Sequence, residues 1–279
     1  MSSTPRTSYD VDGYCLGRSF SSSSRLNLQH YLWKDAVGYN IHPDIPVQDS
    51  KDFKIADVGT GTGIWLIDLN RQLPLSCLDG FDVSSDQYPP KEWLPANISL
   101  KTLDIHKPIP EELKGKYDVV HVRLFITVVK SDDPLPILKN LMDMLKPGGY
   151  LQWSEHSLAT ITVESIKPGM KTGEIQFLVE HARNAVPYGW PPRLPDSFAK
   201  QGFQDVSYSR YPISPEVRVF FTQMQFMIGE EYSIVAMDNS DPQKGGPAHR
   251  RRIQEAAKEA KEGAAMHFIP EVTIGKKPT

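Results

Sequence analysis

The sequence has few of the features that restrict a chain to a special environment. Only two cysteines, Cys15 and Cys77, occur in 279 residues, and neither lies in a C-x-x-C pair or at histidine spacing. This argues against a disulfide framework and a zinc site, and it predicts a reduced intracellular compartment and no metal. No apolar run approaches the roughly 20 residues that span a bilayer, and the N-terminal residues lack the apolar segment of a secretory signal.

The sequence also lacks an excess of charge of one sign. Lys and Arg together number 31 and Asp and Glu 34, which gives a net charge of −3. No overall basic field would draw the chain to nucleic acid or acidic lipid, so we expect neither a nucleic-acid nor a membrane partner. We expect a cytoplasmic protein, with the nucleus as the alternative.

A glycine-rich turn between two apolar runs is the most informative stretch that is present. The sequence from Lys54 to Trp65 predicts a strand, a tight loop with Gly59, Gly61 and Gly63, and then a helix. Glycine permits positive φ and a close approach of backbone to ligand, and the helix N-terminus offers N–H groups. The stretch therefore predicts a nucleotide-type pocket.

The spacing of these glycines weakens a dinucleotide interpretation. The dinucleotide fingerprint is G-x-G-x-x-G, whereas this loop is G-x-G-x-G with Ile64 at the third glycine's place. Asp57 lies two residues before Gly59, where a carboxylate suits an amine better than a pyrophosphate. A nicotinamide dehydrogenase remains the rival chemistry, disfavoured further by the absence of a Tyr-x-x-x-Lys pair after the strands.

Two more carboxylates follow predicted strands. Asp82 lies 19 residues after Gly63, at about the distance where Rossmann-like folds place an acid on ribose hydroxyls. Asp104 ends a third strand, where it could meet an adenine amino group. Each acid alone could be a helix cap or a turn former, but the three together predict one cavity ringed by carboxylates.

Strands alternate with helices from residue 53 to 155, which predicts an α/β fold with parallel strands and right-handed crossovers. Two later strands, at 204–211 and 268–275, predict an antiparallel hairpin. We expect residues 1–50 to form an N-terminal tail and helical cap. Residues 51–279 are expected to form one cofactor-binding domain that includes substrate-side insertions and the hairpin.

Several blocks of this sequence resemble class I S-adenosylmethionine-dependent methyltransferases. They are Asp57–Gly63, Asp82, Leu103–Ile105, Tyr117–Val120 and Leu145–Gly149. The N-terminal stretches Tyr14–Ser19 and Arg25–His30 resemble the opening signature of the fungal UMTA/LaeA-like methyltransferases. The resemblance implies a Rossmann-like class I methyltransferase fold, with a seven-stranded, mostly parallel sheet and helices on both faces.

The resemblance also implies the cofactor, S-adenosyl-L-methionine, and the residues that bind it. The expected cofactor-binding residues are Tyr14, Arg25, Asp57, Gly59, Thr60, Gly61, Gly63, Asp82, Asp104, Ile105 and Arg123. Tyr14 and Arg25 are assigned to the methionine end. On the helical pattern alone, Arg25 belongs to an exposed polar face.

The acceptor side is predicted from the end of the strand at 150–155. His156 is the candidate general base, and Glu155 is its orienter or a substrate anchor. Tyr188 and Trp190 are predicted to line the acceptor pocket. The plainer alternatives are an ordinary hydrogen-bonded histidine and local aromatic packing.

The predicted function is methyl transfer to an O, N or S atom of a small-molecule specialised metabolite. One alternative is a regulatory LaeA-like protein that acts through protein partners. Another is a methyltransferase fold that catalyses non-methyl chemistry. Acceptor identity and oligomeric state have no signature in the sequence.

Overall fold

The chain forms two compact units, as described by a computed structural model that covers residues 14–185, 189–237 and 245–279. A sheet unit comprises Trp33–Ala159, Tyr188–Pro212 and Ile269–Thr279, and a helical unit comprises Met1–Leu32, Thr160–Pro187 and Ile213–Phe268. The start of the predicted N-terminal tail and Tyr188 lie outside the described residues. Each unit is built from three segments of the chain. The predicted domains were instead separated by a single boundary after residue 50, and that boundary stays a prediction.

Nine strands form in the described residues. They are β1 (Lys54–Val58), β2 (Cys77–Asp82), β3 (Ile98–Thr102), β4 (Tyr117–Arg123), β5 (Leu145–His156), β6 (Thr162–Ser165), β7 (Gln204–Arg210), β8 (Ala264–His267) and β9 (Pro270–Lys276).

Seven α-helices form in the same ranges, and none of them is long and apolar enough to cross a membrane. They are α1 (Phe20–Val37), α2 (Ile64–Leu69), α3 (Leu135–Met144), α4 (Gly173–Ala185), α5 (Leu194–Gln201), α6 (Arg218–Val235) and α7 (Gly245–Glu262).

The main sheet has seven strands in the order β3-β2-β1-β4-β5-β9-β7. The pairs from β3 to β5 are parallel, and β9 is antiparallel to both β5 and β7. The carboxyl ends of β1 to β5 therefore share one edge of the sheet, which is where open α/β sheets bind ligands. The predicted fold class, a mostly parallel seven-stranded Rossmann-like sheet, is confirmed.

The central strands are held in place because most of their residues are buried in the core. In β1, all residues from Ile55 to Val58 are buried. A strand that is buried on both faces reads as a continuous apolar run, as expected inside a parallel sheet. Leu66 of α2, Leu78 of β2 and Val119 of β4 belong to the same hydrophobic core cluster, which fixes the loop between β1 and α2.

The strand predicted at 268–275 corresponds to β9, and a second strand that was not predicted, β8, ends just before it. β8 pairs with β6 as a separate two-stranded ribbon, and β9 pairs with β5 and β7 in the main sheet. Pro270 begins β9, a position that proline tolerates because it needs no N–H there. Both strands are buried along nearly their whole length, so an alternating pattern could not mark where one ends and the other begins.

The N-terminus of α4 is held by a buried carboxylate from α7. Glu259, 2% exposed, accepts the backbone N–H groups of Glu174 at 3.0 Å and Ile175 at 3.0 Å. The first N–H groups of a helix have no partner within that helix, so Glu259 supplies the missing acceptor.

We expect Glu259→Ala to lower the free energy of unfolding by about 1–3 kcal/mol, since two buried N–H groups lose their acceptor. Glu255→Ala is the matched control on the same helix, because Glu255 forms only an exposed pair with Lys258, worth about 0–1 kcal/mol. Chemical denaturation measures both. Equal losses in the two variants would contradict this role for Glu259.

Candidate active site

The loop after β1 bends sharply through three glycines. Gly59, Gly61 and Gly63 have φ values of 74°, 54° and 75°, in the left-handed region that favours glycine. The N–H groups of Gly59 and Thr60 both donate to the Phe81 carbonyl, at 2.7 and 2.9 Å. This links the loop to the end of β2.

Gly59 is also required by crowding. A Cβ atom at this position would lie 2.3 Å from Cε2 of Phe125, a residue that follows β4. The glycine loop and the segment after β4 are therefore in direct contact. No motif pointed to Phe125, because its neighbour is 66 residues earlier in the chain.

Asp82, at the end of β2, faces the same loop. Its Oδ2 accepts the Gly61 N–H at 2.9 Å, and its Oδ1 accepts the Ser84 N–H at 3.3 Å. The carboxylate is only partly buried, so a ligand could approach it from solvent. The predicted proximity of Asp82 to the loop is thus present in the structure.

Asp57 is buried and occupied on both oxygens. Its Oδ2 accepts the Thr60 hydroxyl at 2.7 Å, and its Oδ1 lies 2.7 Å from Nδ1 of His121. Burial lowers the pKa of His121, so the ring is neutral at neutral pH and Nδ1–H donates to Asp57. The His121 ring stacks on Trp65 at 4.0 Å between centroids. Asp57 therefore holds the loop, a role that the sequence did not predict.

The segment after β3 passes beside Asp82, because the Leu103 N–H donates to the Asp82 carbonyl at 2.7 Å. Asp104 follows and accepts the His106 N–H at 3.0 Å within a local turn. Ile105 is buried, and its carbonyl accepts the Asn140 side chain at 2.7 Å. Asp82, Asp104 and Ile105 thus belong to adjoining segments at the carboxyl edge of the sheet.

The chain leaves β4 through an unfavourable conformation. Leu124 has a φ of 59°, which costs a bulky residue about 1–3 kcal/mol and tends to occur at functional sites. Its N–H donates to the Ser154 carbonyl at 2.9 Å. The preceding Arg123 ends the strand; burial lowers its pKa to about 10, opposed by Asp57, so the guanidinium stays charged at neutral pH.

Glu155 and His156 end β5, and their side chains leave opposite faces of the strand. The Glu155 carboxyl accepts the backbone N–H of His156 at 3.2 Å and that of Phe125 at 2.7 Å. Burial raises the pKa of Glu155 to about 8 and lowers that of His156 to about 4. Glu155 thus anchors the segment after β4, and its predicted role as orienter of His156 or as a substrate anchor stays a prediction.

Trp190 is fully buried and packs edge-on against Trp153, with ring centroids 5.4 Å apart. Its backbone N–H and that of Gly189 both donate to Oδ1 of Asp132 at 2.8 Å. The plainer alternative, local aromatic packing, therefore describes this ring better than a pocket-lining role. The neighbouring Tyr188 lies outside the described residues.

Tyr14 and Arg25 belong to the helical unit. The Arg18 guanidinium lies 5.4 Å from the centroid of the Tyr14 ring. Arg25 is 2% exposed and pairs with Glu231 through Nε at 2.9 Å and Nη2 at 3.1 Å. It is therefore buried, unlike the exposed residue that the helical pattern indicated. Among the described residues, no cluster of His, Cys, Asp and Glu could hold a metal ion.

The chain matches the methyltransferase domain family over residues 29–212, more than half of its length. It is 30% identical to N-methyltransferase gliN of Aspergillus fumigatus over 244 residues, 87% of this chain and 79% of that protein. It is 38% identical to methyltransferase grgD of Penicillium sp over 150 residues, 51% of this chain and 52% of that protein. The chain belongs to the methyltransferase domain family.

A solved structure shows the same fold. Phosphoethanolamine N-methyltransferase 2 of Haemonchus contortus, in complex with S-adenosyl-L-methionine, gives a TM-score of 0.55 at 12% identity, covering 97% of this chain and 59% of that chain. The family match confirms the predicted methyltransferase class, and this structure, which holds S-adenosyl-L-methionine, shares its fold. Since the chain spans about half the length of grgD, that protein's full activity does not transfer to it.

We expect Gly59→Ala to weaken binding of S-adenosylhomocysteine by about tenfold or more, equivalent to about 1.4 kcal/mol. The new methyl group collides with Phe125 and shifts the loop. Gly115→Ala is the matched control, because Gly115 also has positive φ but nothing lies within 4 Å of its Cβ position. Calorimetry measures the affinities. Comparable losses in both variants would show that backbone strain, and not the contact with Phe125, is responsible.

Proposed function

We propose that the protein transfers the methyl group of S-adenosylmethionine to a nitrogen atom of a small-molecule specialised metabolite. Oxygen and sulfur acceptors are the alternatives that the experiment below distinguishes. The nitrogen acceptor is supported by the N-methyltransferase gliN, the relative that aligns with 87% of this chain. The specialised-metabolite class is supported by the sequence resemblance to the fungal UMTA/LaeA-like group, to which we assign the chain.

One observation carries the cofactor assignment, namely that four N–H groups of the glycine loop are already used within the protein. The N–H groups of Gly59, Thr60, Gly61 and Gly63 donate to Phe81, Asp82 and Thr60 acceptors within the protein. An anion-binding loop instead directs N–H groups at a phosphate. A loop whose donors are used internally and flanked by carboxylates suits a cationic sulfonium ligand better than a pyrophosphate.

The residues fit this cofactor through complementary hydrogen bonding. Asp82 would accept the ribose hydroxyls, and the segment of Asp104 and Ile105 would meet the adenine. The bare backbone of Gly59 and Gly61 would lie against the ligand, while Asp57 and Thr60 keep the loop in shape. Tyr14 and Arg25 stay assigned to the methionine end by the family resemblance alone, and Arg123 to cofactor binding by its place at the end of β4.

Bound S-adenosylmethionine supplies a methyl group that the sulfonium has already activated. The protein then has to position the acceptor and exclude water, and positioning alone can supply about 7–11 kcal/mol in the best intramolecular cases. With its pKa lowered to about 4, His156 is a weak base that stays neutral at neutral pH. Such a base suits an unprotonated amine, which attacks without prior removal of a proton.

This function has a direct test. Incubation with S-adenosylmethionine labelled with ¹³C in the methyl group, and with candidate acceptors from fungal extracts, should give products heavier by one labelled methylene. The ¹³C shift of the new methyl group separates N-, O- and S-methylation. Cofactor binding without any labelled product would favour the regulatory alternative, in which the chain acts through protein partners. An altered acceptor without label would favour non-methyl chemistry.

We expect His156→Ala to lower turnover while leaving the affinity for S-adenosylhomocysteine unchanged. A general base typically accelerates a reaction by about 10²–10⁴-fold, and we expect a weak base acting on an amine to contribute a rate factor at or below the lower end of this range. His106→Ala is the control, because His106 is exposed. Steady-state kinetics and calorimetry provide the two readouts. Unaltered turnover would remove His156 from the proposed mechanism.

A further inference from the structure

A second buried glutamate lies directly opposite Glu155. In the antiparallel pair of β5 and β9, Glu155 is in register with Glu271, so both side chains leave the same face of the sheet. Glu155 is 1% exposed and Glu271 is 3% exposed. Directly opposed residues of this kind have Cβ atoms about 4.5–5.5 Å apart. The sequence did not single out Glu271.

Glu155 and Glu271 have different hydrogen-bond partners. Both oxygens of Glu155 accept backbone N–H groups, from Phe125 and His156. Glu271 is approached from β7, where the Tyr208 hydroxyl donates to it and Nε of Arg210 lies 3.6 Å from Oε1. Oε2 of Glu271 is buried and has no hydrogen-bond partner among the described residues. From β4, Arg123 lies in register with Ser154, the residue before Glu155.

Two adjacent buried carboxylates do not both ionise readily, because desolvation and mutual repulsion each favour the neutral form. Burial raises the pKa of both residues, and the charge of Glu271 adds to the rise at Glu155, whereas Tyr208 and Arg210 oppose the rise at Glu271. The titration therefore belongs to the pair and not to either residue alone. A single proton between them would also give the unpaired Oε2 a hydrogen bond.

We propose that Glu271 shares one proton with Glu155 and thereby positions Glu155 in the site. The shared proton keeps the Glu155 carboxyl where it accepts the N–H of Phe125, whose ring lies against Gly59. Glu271 is thus a positioning residue that acts on the glycine loop through Glu155 and Phe125. This inference does not depend on which acceptor the enzyme methylates.

Proton sharing predicts the sign of the pH dependence of stability. Carboxyls whose pKa is raised by folding stabilise the folded state at low pH, and the stabilisation is lost as pH rises through the folded-state pKa. Up to a pH of about 8, the folded pair should hold one proton that the unfolded chain has released. The buried histidines, whose pKa burial lowers, act in the opposite direction but equally in each variant. Relative to a variant without the shared proton, the folding equilibrium constant should therefore fall about tenfold per pH unit.

Chemical denaturation across this range tests the proposal. In Glu271→Gln, the amide can donate to an ionised Glu155, so the variant should lack the fall in stability that the shared proton gives the wild type. Glu259→Gln is the matched control, a buried glutamate of the helical unit without a facing carboxyl in its hydrogen bonds, and it should keep the wild-type slope. Equal slopes in the wild type and Glu271→Gln would overturn the proposal.

Two measurements cover the remaining outcomes. If Glu271→Gln does not fold, difference infrared spectroscopy of the wild-type protein should show a water-shielded protonated carboxyl that disappears above a pH of about 8. The absence of this signal would overturn the proposal.

If Glu271→Gln folds, its affinity for S-adenosylhomocysteine should not show the decline above this pH that the wild type shows. A wild-type affinity independent of pH would remove Glu271 from the site. Because the denaturation needs no ligand, its result is separate from any failure of cofactor binding.

Discussion

The double hydrogen bond from Gly59 and Thr60 to the Phe81 carbonyl is the constraint on which the rest of the site depends. It ties the loop after β1 to the end of β2 and so brings Asp82 to the Gly61 N–H. It also uses two of the loop donors that a phosphate would require. The geometry that builds the pocket is thus the same geometry that makes it a poor anion site.

The buried carboxylate of Asp57 is a second constraint on the loop. Asp57 is almost completely buried, and a buried carboxylate is tolerated only when its oxygens are hydrogen-bonded. Thr60 and His121 provide these bonds, and the stacked Trp65 fixes the plane of the imidazole. Since Trp65 lies in α2 and His121 in β4, the network joins three elements around one charge. The loop is therefore held by polar contacts as well as by its glycines.

Local patterns predicted most of this fold from the sequence. The apolar runs that became β1, β2 and β4, the helix after Pro134 and the G-x-G-x-G turn each have a signature within a few residues. The β6–β8 ribbon did not, because a four-residue strand has too little periodicity and its partner is about 100 residues away. The sequence also indicated which acids follow strands, but not that Asp57 would be used internally. That outcome depends on His121, 64 residues later, and no local pattern reports such a pairing.

The end of β5, where the sequence predicted a general base, holds two side chains, Glu155 and His156, whose burial disfavours their charged forms. Desolvation weakens His156 as a base and disfavours ionisation of Glu155, so neither side chain removes a proton readily at neutral pH. Under the proposed function, the acceptor would therefore arrive already nucleophilic. An unprotonated amine meets that condition, whereas a hydroxyl would gain from a base with a pKa closer to the working pH. The burial of Glu155 and His156 thus favours the nitrogen acceptor that we propose.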